Sequence, residues 1–290
     1  MASRPVDCAI EFKSFSYRYE SSAAPALRDI TLKVGKGEFV GLLGPAGSGK
    51  STLLHSISGA IPHFFTTGVS SGSVEVEGKA VAERRLSDLS SFVGTVAQDP
   101  EAQIFNLFVQ DEVTWTAQNL IIPAGEIKAR VAEVSGTFRL DELIDRMTPT
   151  LSGGQKQLVA LASAIVAKPR ILLLDEPTAE LDSAATKTFY EVLASLRGGI
   201  TMIVAEHKLE LLAAFADRLI LLNDAAVQAD AEPGRVIADP DLLASCGYEQ
   251  PAVFRFLREL ALLEGIETIP SLWDVEAAAA WVKAAIASAV

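Results

Sequence analysis

Residues 44–51 read Gly-Pro-Ala-Gly-Ser-Gly-Lys-Ser, the spacing G-x-x-x-x-G-K-[ST] of a loop that wraps phosphate. Gly44, Gly47 and Gly49, with Pro45, Ala46 and Ser48 between them, let backbone N–H groups curl around phosphate oxygens. A helix start immediately after such a loop adds positive potential. Lys50 offers a point charge to β- and γ-phosphates, Ser51 a hydroxyl ligand for Mg²⁺, and Thr52 support for an α-phosphate. Residues 171–176, Ile-Leu-Leu-Leu-Asp-Glu, bring two carboxylates to the end of an apolar run. Asp175 would hold Mg²⁺, directly or through water, and Glu176 would polarise an attacking water as a general base. The plain alternatives are a ligand-free glycine turn and an acidic turn after a core strand. Finding both motifs in one chain argues against each alternative and points to binding and hydrolysis of MgATP.

These residues need strands to deliver them and helices to cover the strands. Phe39–Leu43 is a short apolar run that reads as a buried parallel strand entering the glycine loop. Leu53, Leu54 and Ile57 then follow helical spacing. Residues 171–174 and 201–205 are further buried strands, followed by a helix over 208–215 and a strand over 218–222. Residues 8–40 and 73–76 alternate as strands do, and 110–165 read as mostly helical. Strands alternating with helices predict a mainly parallel sheet covered on both faces. From residue 226 the pattern changes to short helices broken by Pro233, Pro240, Pro251 and Pro270. Pro251 suits the first turn of a helix running to about Leu263. Ser271 and Asp274 resemble a capping box for a last helix, with Val275, Ala279, Val282 and Ile286 on one face.

Of the 290 residues, 49% are hydrophobic and 21% charged, an ordinary globular composition. Acidic residues exceed basic ones, 37 to 25, for a net charge of −12, which disfavours a nucleic-acid or anionic-lipid partner. The two cysteines, Cys8 and Cys246, sit in no metal or disulfide pattern and read as reduced thiols in the cytosol. The first ten residues carry Arg4, Pro5 and Asp7 and lack the apolar segment of a signal peptide. No apolar run approaches the ~20 residues of a membrane span, so any such span is expected from other chains.

Leu151-Ser-Gly-Gly-Gln155 resembles the signature sequence of ABC ATPases. Alone, a Ser-Gly-Gly turn is usually a helix cap; here it follows a phosphate loop and precedes the carboxylate pair, in that family's order. The resemblance spans about residues 8–225. It implies an α/β P-loop NTPase fold with a mainly parallel core sheet, an antiparallel β subdomain and a helical signature subdomain. Residues 1–225 would then form the nucleotide-binding domain, and 226–290 a small C-terminal helical appendage. It further implies that Ser152, Gly153, Gly154 and Gln155 close over a γ-phosphate held by a second ATPase subunit, identical or paralogous. Gln98 matches the glutamine that reaches Mg²⁺ and senses a transmembrane subunit, and Asp182 matches the D-loop aspartate. His207 matches the switch histidine that contacts the γ-phosphate and joins Glu176 and Lys50 in catalysis. Tyr19 sits where the family stacks an aromatic on adenine, with Tyr17 as its rival. His55 and His63 receive no role.

Within the family, Gln98-Asp-Pro-Glu-Ala-Gln-Ile-Phe105, Asp111-Glu-Val113 and Ala205-Glu-His-Lys-Leu-Glu210 are similar to the ATPases of energy-coupling-factor importers. That likeness implies uptake of a vitamin or a transition-metal ion, and a groove near Gln98 that receives a helix of an integral membrane subunit. It places the chain on the cytoplasmic face of the membrane. Residues 103–108 read equally well as ordinary packing of the helical subdomain. Lys156 stands where relatives often carry Arg, and Phe108-Val-Gln-Asp is less acidic than the usual run. A conventional ABC importer or exporter, or a soluble ABC ATPase that remodels nucleic acid or ribosomes, would carry the same core motifs.

Overall fold

The computed structural model describes residues 7–264 and 278–283. The chain opens with β1 (Cys8–Arg18), β2 (Leu27–Gly35) and β3 (Phe39–Leu43), then α1 (Lys50–Ser58) and α2 (Ala60–His63). Next come β4 (Val69–Val76), β5 (Lys79–Ala80), α3 (Leu86–Ser90), β6 (Val93–Val96) and α4 (Pro100–Gln103). The helical stretch is α5 (Val109–Asn119), α6 (Ala124–Phe138) and α7 (Gly153–Ile165). Then β7 (Ile171–Asp175), α8 (Ser183–Ser195), β8 (Thr201–Ala205), α9 (Leu209–Phe215) and β9 (Arg218–Asn223) alternate. The described chain closes with β10 (Ala226–Ala231), α10 (Pro233–Ala238), α11 (Pro240–Ser245) and α12 (Ala252–Glu264).

The main sheet has the order β10-β9-β3-β8-β7-β6, parallel throughout except for β10 at one edge. Its central strands are apolar at nearly every position because both faces are covered. Phe39, Leu43, Leu172, Leu174, Met202, Val204, Leu219 and Leu221 point into a core shared with α5–α9. Their neighbours Val40, Leu42, Ile171, Leu173, Ile203, Ala205, Ile220 and Leu222 point into a second core with α1. That second core also takes the inner face of an antiparallel sheet of order β2-β1-β4-β5. The fold is therefore the expected one: a parallel-sheet P-loop core, an antiparallel β subdomain and a helical subdomain.

Two stretches differ from the sequence pattern. The strand expected at 73–76 begins at Val69, because Arg18, Tyr17 and Ser16 of the long β1 pair with Val69, Ser70 and Ser71. Those positions of β4 are solvent-exposed, so backbone pairing rather than side-chain alternation extends the strand. The boundary at 225/226 falls in the turn of the β9–β10 hairpin, where Asp224 and Ala225 both adopt positive φ. The sheet crosses that boundary, and Val236, Ile237, Leu243, Cys246 and Phe254 bury themselves in the same core as α5–α9. Strand β10 reads Ala-Val-Gln-Ala-Asp-Ala, too weak an apolar signal to mark a strand. Helix α12 has nearly the expected limits. The expected cap at Ser271 and Asp274, and the face positions Val275 and Ile286, lie outside the described residues; residues 278–283 are helical.

Candidate functional site

The glycine loop leaves the C-terminal end of β3, and the neighbouring strands β8 and β7 end beside it, so ligand chemistry gathers where open α/β sheets place it. Gly44 takes φ +156, and a Cβ there would run into the Leu222 carbonyl and the Ser48 hydroxyl. Gly49 takes φ +108 and closes on the Ala26 carbonyl. Neither position tolerates a side chain, because the loop backbone packs directly against those groups.

Lys50 is only 4% exposed. Its Nζ donates to the Gly44 carbonyl at 2.8 Å and the Pro45 carbonyl at 3.4 Å, and lies 3.7 Å from Glu176 Oε1. Burial pulls the Lys50 ammonium below the usual lysine range, against the opposing pull of Glu176 and Asp175. His207 Nε2 lies 2.7 Å from the same Glu176 Oε1. One carboxylate oxygen thus ties the loop lysine to the histidine after β8. Glu176 achieves this from a left-handed backbone (φ +47), its N–H donating to the Ala205 carbonyl at 2.9 Å. A non-glycine residue in that region costs on the order of 1 kcal/mol or more, and such strain gathers at functional sites.

Asp175 Oδ1 is buried and has no hydrogen-bond partner. A buried carboxylate oxygen left unpaired is costly, and a hard oxygen donor in that position fits a divalent cation. Among the described residues no group of three or more His, Cys, Asp or Glu could hold a metal alone. Mg²⁺ keeps waters and phosphate oxygens beside one or two protein ligands, and Asp175 would be one of them. The exposed Ser51 and Gln98 are the other candidates; Gln98 lines a cavity of about 460 Å³ together with Asp175 and His55. His55, for which the sequence suggests no role, has a buried Nδ1 without a partner, and burial lowers its pKa.

Of the two tyrosines, Tyr17 is 2% exposed and sealed against Gly68, its hydroxyl donating to the Phe65 carbonyl at 3.4 Å. Tyr19 is half-buried, edge-on to Tyr17 and Phe65, with its hydroxyl 3.2 Å from Thr52 Oγ1. Only Tyr19 of this pair therefore keeps ring surface near the loop, and it occupies the Thr52 hydroxyl expected to support an α-phosphate.

Ser152 to Gln155 stand apart from this cluster. Ser152 caps α7 in a capping box, its hydroxyl accepting from the Gln155 N–H at 3.4 Å while Gln155 Oε1 accepts from the Ser152 N–H at 3.0 Å. Gly154 packs against Ala185, whose N–H donates to Asp182 Oδ1 at 2.8 Å in the cap of α8. The signature turn and the aspartate are thereby joined to each other, with hydrogen bonds internal to their own helix starts. Helix α7 reaches the Gln98 segment instead: Lys156 pairs with Glu101, and Gln157 Nε2 donates to the Ala97 carbonyl at 3.1 Å. Gln103 fastens the same segment, bridging Thr95 and Ala97, and buried Glu112 holds the N–H groups of Phe105 and Asn106. Phe105, Leu107 and Phe108 remain exposed on this rim.

Two further residues enter the site for which the sequence suggests no role. Glu206, 2% exposed, accepts from Thr178 Oγ1 at 2.6 Å and Thr178 N–H at 3.2 Å, and from the His207 N–H at 3.4 Å. It anchors the backbone of His207 to the loop after Glu176; in the sequence it stands out only as part of the Ala205–Glu210 string, without a role of its own. Tyr248 of the tail hydrogen-bonds Gly44, and nothing in its local sequence marks it.

A family model described as ABC transporter matches residues 27–179, and one described as an AAA domain matches 148–213. A Pyrococcus abyssi protein described as an ABC transporter ATP-binding protein is 37% identical over 256 residues, 87% of this chain and 90% of that one. A Pyrococcus horikoshii protein of the same description is 36% identical over 253 residues, 87% of this chain and 89% of its own. A Vibrio vulnificus relative is 37% identical over 90% of this chain, which spans only 46% of that longer protein. Among solved structures, cbiO1 of Clostridium perfringens, part of the ABC transporter complex cbiONQ, superposes with TM-score 0.74 at 29% identity. That match covers 89% of this chain and 99% of cbiO1. The ADP conformation of an ATP-binding cassette of an ABC transporter superposes with TM-score 0.70 at 24% identity, a likeness of fold alone.

Proposed function

We infer the function of this chain from its kinship: it belongs to the ABC transporter ATP-binding proteins and is an ATPase. It is the ATP-binding subunit of a transporter, and in our reading that transporter is an importer of the energy-coupling-factor type, for a vitamin or a transition-metal ion. The observation that carries the chemistry is the shared Glu176 oxygen between Lys50 and His207, beside the unpaired Asp175 oxygen. The subgroup rests on the Gln98–Phe105 string and on the likeness to cbiO1.

Residues 44–52 bind the triphosphate, and Tyr19 faces adenine. Lys50 neutralises charge on the β- and γ-phosphates. Ser51, Asp175 and Gln98 would hold Mg²⁺, which when bound supplies further positive charge to the phosphate oxygens. Glu176 takes the proton of the attacking water, while His207 fixes that carboxylate and meets the γ-phosphate. Ser152 to Gln155 of a second ATPase subunit, with its Asp182, close the site from the opposite side. The Vibrio vulnificus relative, about twice this chain's length, leaves room for a second module. Residues 1–225 carry this chemistry, and 226–290 add a tail whose first strand joins the sheet. No described helix is long and apolar enough to cross a membrane; in this reading integral membrane subunits provide the path, with this chain peripheral on the cytoplasmic side. The rim of Phe105, Leu107 and Phe108 is where such a subunit would dock.

Purifying the tagged chain from mildly solubilised membranes tests this reading. A small substrate-binding membrane protein together with a second helical membrane subunit is the expected company. A pair of large permease subunits would overturn the importer subgroup and leave the transporter ATPase standing.

A further inference from the structure

Tyr248 and Gly44 lie 204 positions apart, yet the tyrosine hydroxyl engages both polar groups of that one glycine. The Gly44 N–H donates to Tyr248 Oη at 2.9 Å, and Oη donates to the Gly44 carbonyl at 3.2 Å. The same carbonyl accepts from Lys50 Nζ at 2.8 Å. A single backbone oxygen therefore holds the phosphate-facing ammonium and the phenol of the C-terminal tail together. Gly44 has little other freedom: its other side is closed by the Leu222 carbonyl at the end of β9.

The tail holds the ring there by packing and by backbone bonds. Leu243 and Cys246 are buried in the core, and the Tyr248 N–H donates to the Leu243 carbonyl at 2.9 Å. The Ser245 carbonyl accepts from Asn223 Nδ2 at 3.0 Å, which fastens the end of α11 to the end of β9. Burial pushes the phenol up to about 12, so at neutral pH it keeps the proton that it donates to Gly44. A half-buried phenol that both accepts from and donates to one residue's backbone restrains that backbone, which a glycine has no side chain to do for itself.

We propose that Tyr248 is a positioning residue of the phosphate loop: its hydroxyl orients Gly44 and, through the shared carbonyl, Lys50 for the phosphates of ATP. The C-terminal tail thereby sets nucleotide affinity without touching nucleotide. This rests on the reading that residues 44–52 bind MgATP.

The test compares full-length chains carrying Tyr248→Phe, Tyr248→Phe with Leu243→Ala, and Lys50→Ala, by calorimetric titration with MgATP and by backbone hydrogen exchange. Tyr248→Phe keeps the ring and removes only the hydroxyl. Its MgATP Kd rises about tenfold, the loss of one hydrogen bond's net contribution, and the Gly44 N–H exchanges faster. Adding Leu243→Ala to Tyr248→Phe loosens the packing of the same segment and lowers Tm further, but raises Kd no further, since the hydroxyl through which the tail acts is already gone. A Tyr248→Phe Kd that matches wild type overturns the proposal. So does a further loss of affinity in the double variant, which would assign the effect to tail packing apart from the hydroxyl. If Lys50→Ala binds MgATP like wild type, the underlying phosphate-site reading fails instead, and this inference falls with it.

Discussion

The phosphate loop and the signature turn both place backbone N–H groups at the start of a helix, and they are built in opposite ways. Around the loop, Lys50, Glu176, His207 and Asp175 crowd together, with a buried cation, a shared carboxylate oxygen and an unpaired one. At the signature turn, Ser152 and Gln155 satisfy each other, and the surroundings are exposed. The first region holds polar groups whose pairing is incomplete inside the chain, so it gains most when a ligand supplies the missing charges. The second is complete as a helix cap and gains nothing from ligand until another surface meets it. In the proposed site shared between two subunits, these two regions would be the complementary halves.

The contrast can be tested at its strongest point first. Replacing Glu176 with Gln keeps the shape of the cluster and removes the carboxylate proposed as its base. ATP hydrolysis should fall on the order of 10²–10⁴-fold while ATP binding persists. With ATP, sizing chromatography should show a closed dimer; a purely monomeric profile would count against the two-subunit site. Lys50→Ala should weaken MgATP binding by roughly 100-fold, the loss of charge-assisted contacts to phosphate. Undiminished binding by calorimetry would mean that the loop does not hold the phosphates. Ser152→Ala probes the other half. It should cost about 1 kcal/mol of stability through the lost cap, leave the isolated chain's affinity for ATP unchanged, and slow turnover in the assembled transporter. A drop in the isolated chain's affinity comparable to that of Lys50→Ala would erase the distinction between the halves.

The smallest expected effect is on pH dependence. Lys50 is lowered from the free-lysine value by burial, so in the fold its charge is lost at a lower pH than in the unfolded chain. Keeping it charged therefore costs stability below its folded pKa, and that cost disappears as pH rises through the interval up to the unfolded value. Phosphates favour the ammonium, so ATP affinity should decline on the alkaline side within that interval, with proton uptake on binding. Calorimetry in buffers of different ionisation enthalpy checks this; no proton uptake would mean that Lys50 stays fully charged.

Much of this was legible in the residues. Phe39–Leu43, Ile171–Asp175 and Thr201–Ala205 are strands where the apolar runs placed them, because a strand covered on both faces leaves a continuous apolar string. The glycine loop was legible because its glycines, Lys50 and Ser51 lie next to one another in the sequence. The start of β4 at Val69 and the whole of β10 were not, since their partners, not their own side chains, hold them in the sheet.

Read residue by residue, the chain already states the chemistry on offer: a loop for phosphate, two carboxylates at a strand end, a histidine after another strand and a helix cap with glycines. Those are local patterns, set by neighbours in the chain. Which of them meet is a matter of long-range packing. Only the order β9-β3-β8-β7 puts Lys50, His207 and Glu176 around one oxygen, and only the packing of α10 and α11 on the sheet carries Tyr248 to Gly44. Such meetings follow from burying two apolar faces at once, a global constraint that no short stretch of residues records.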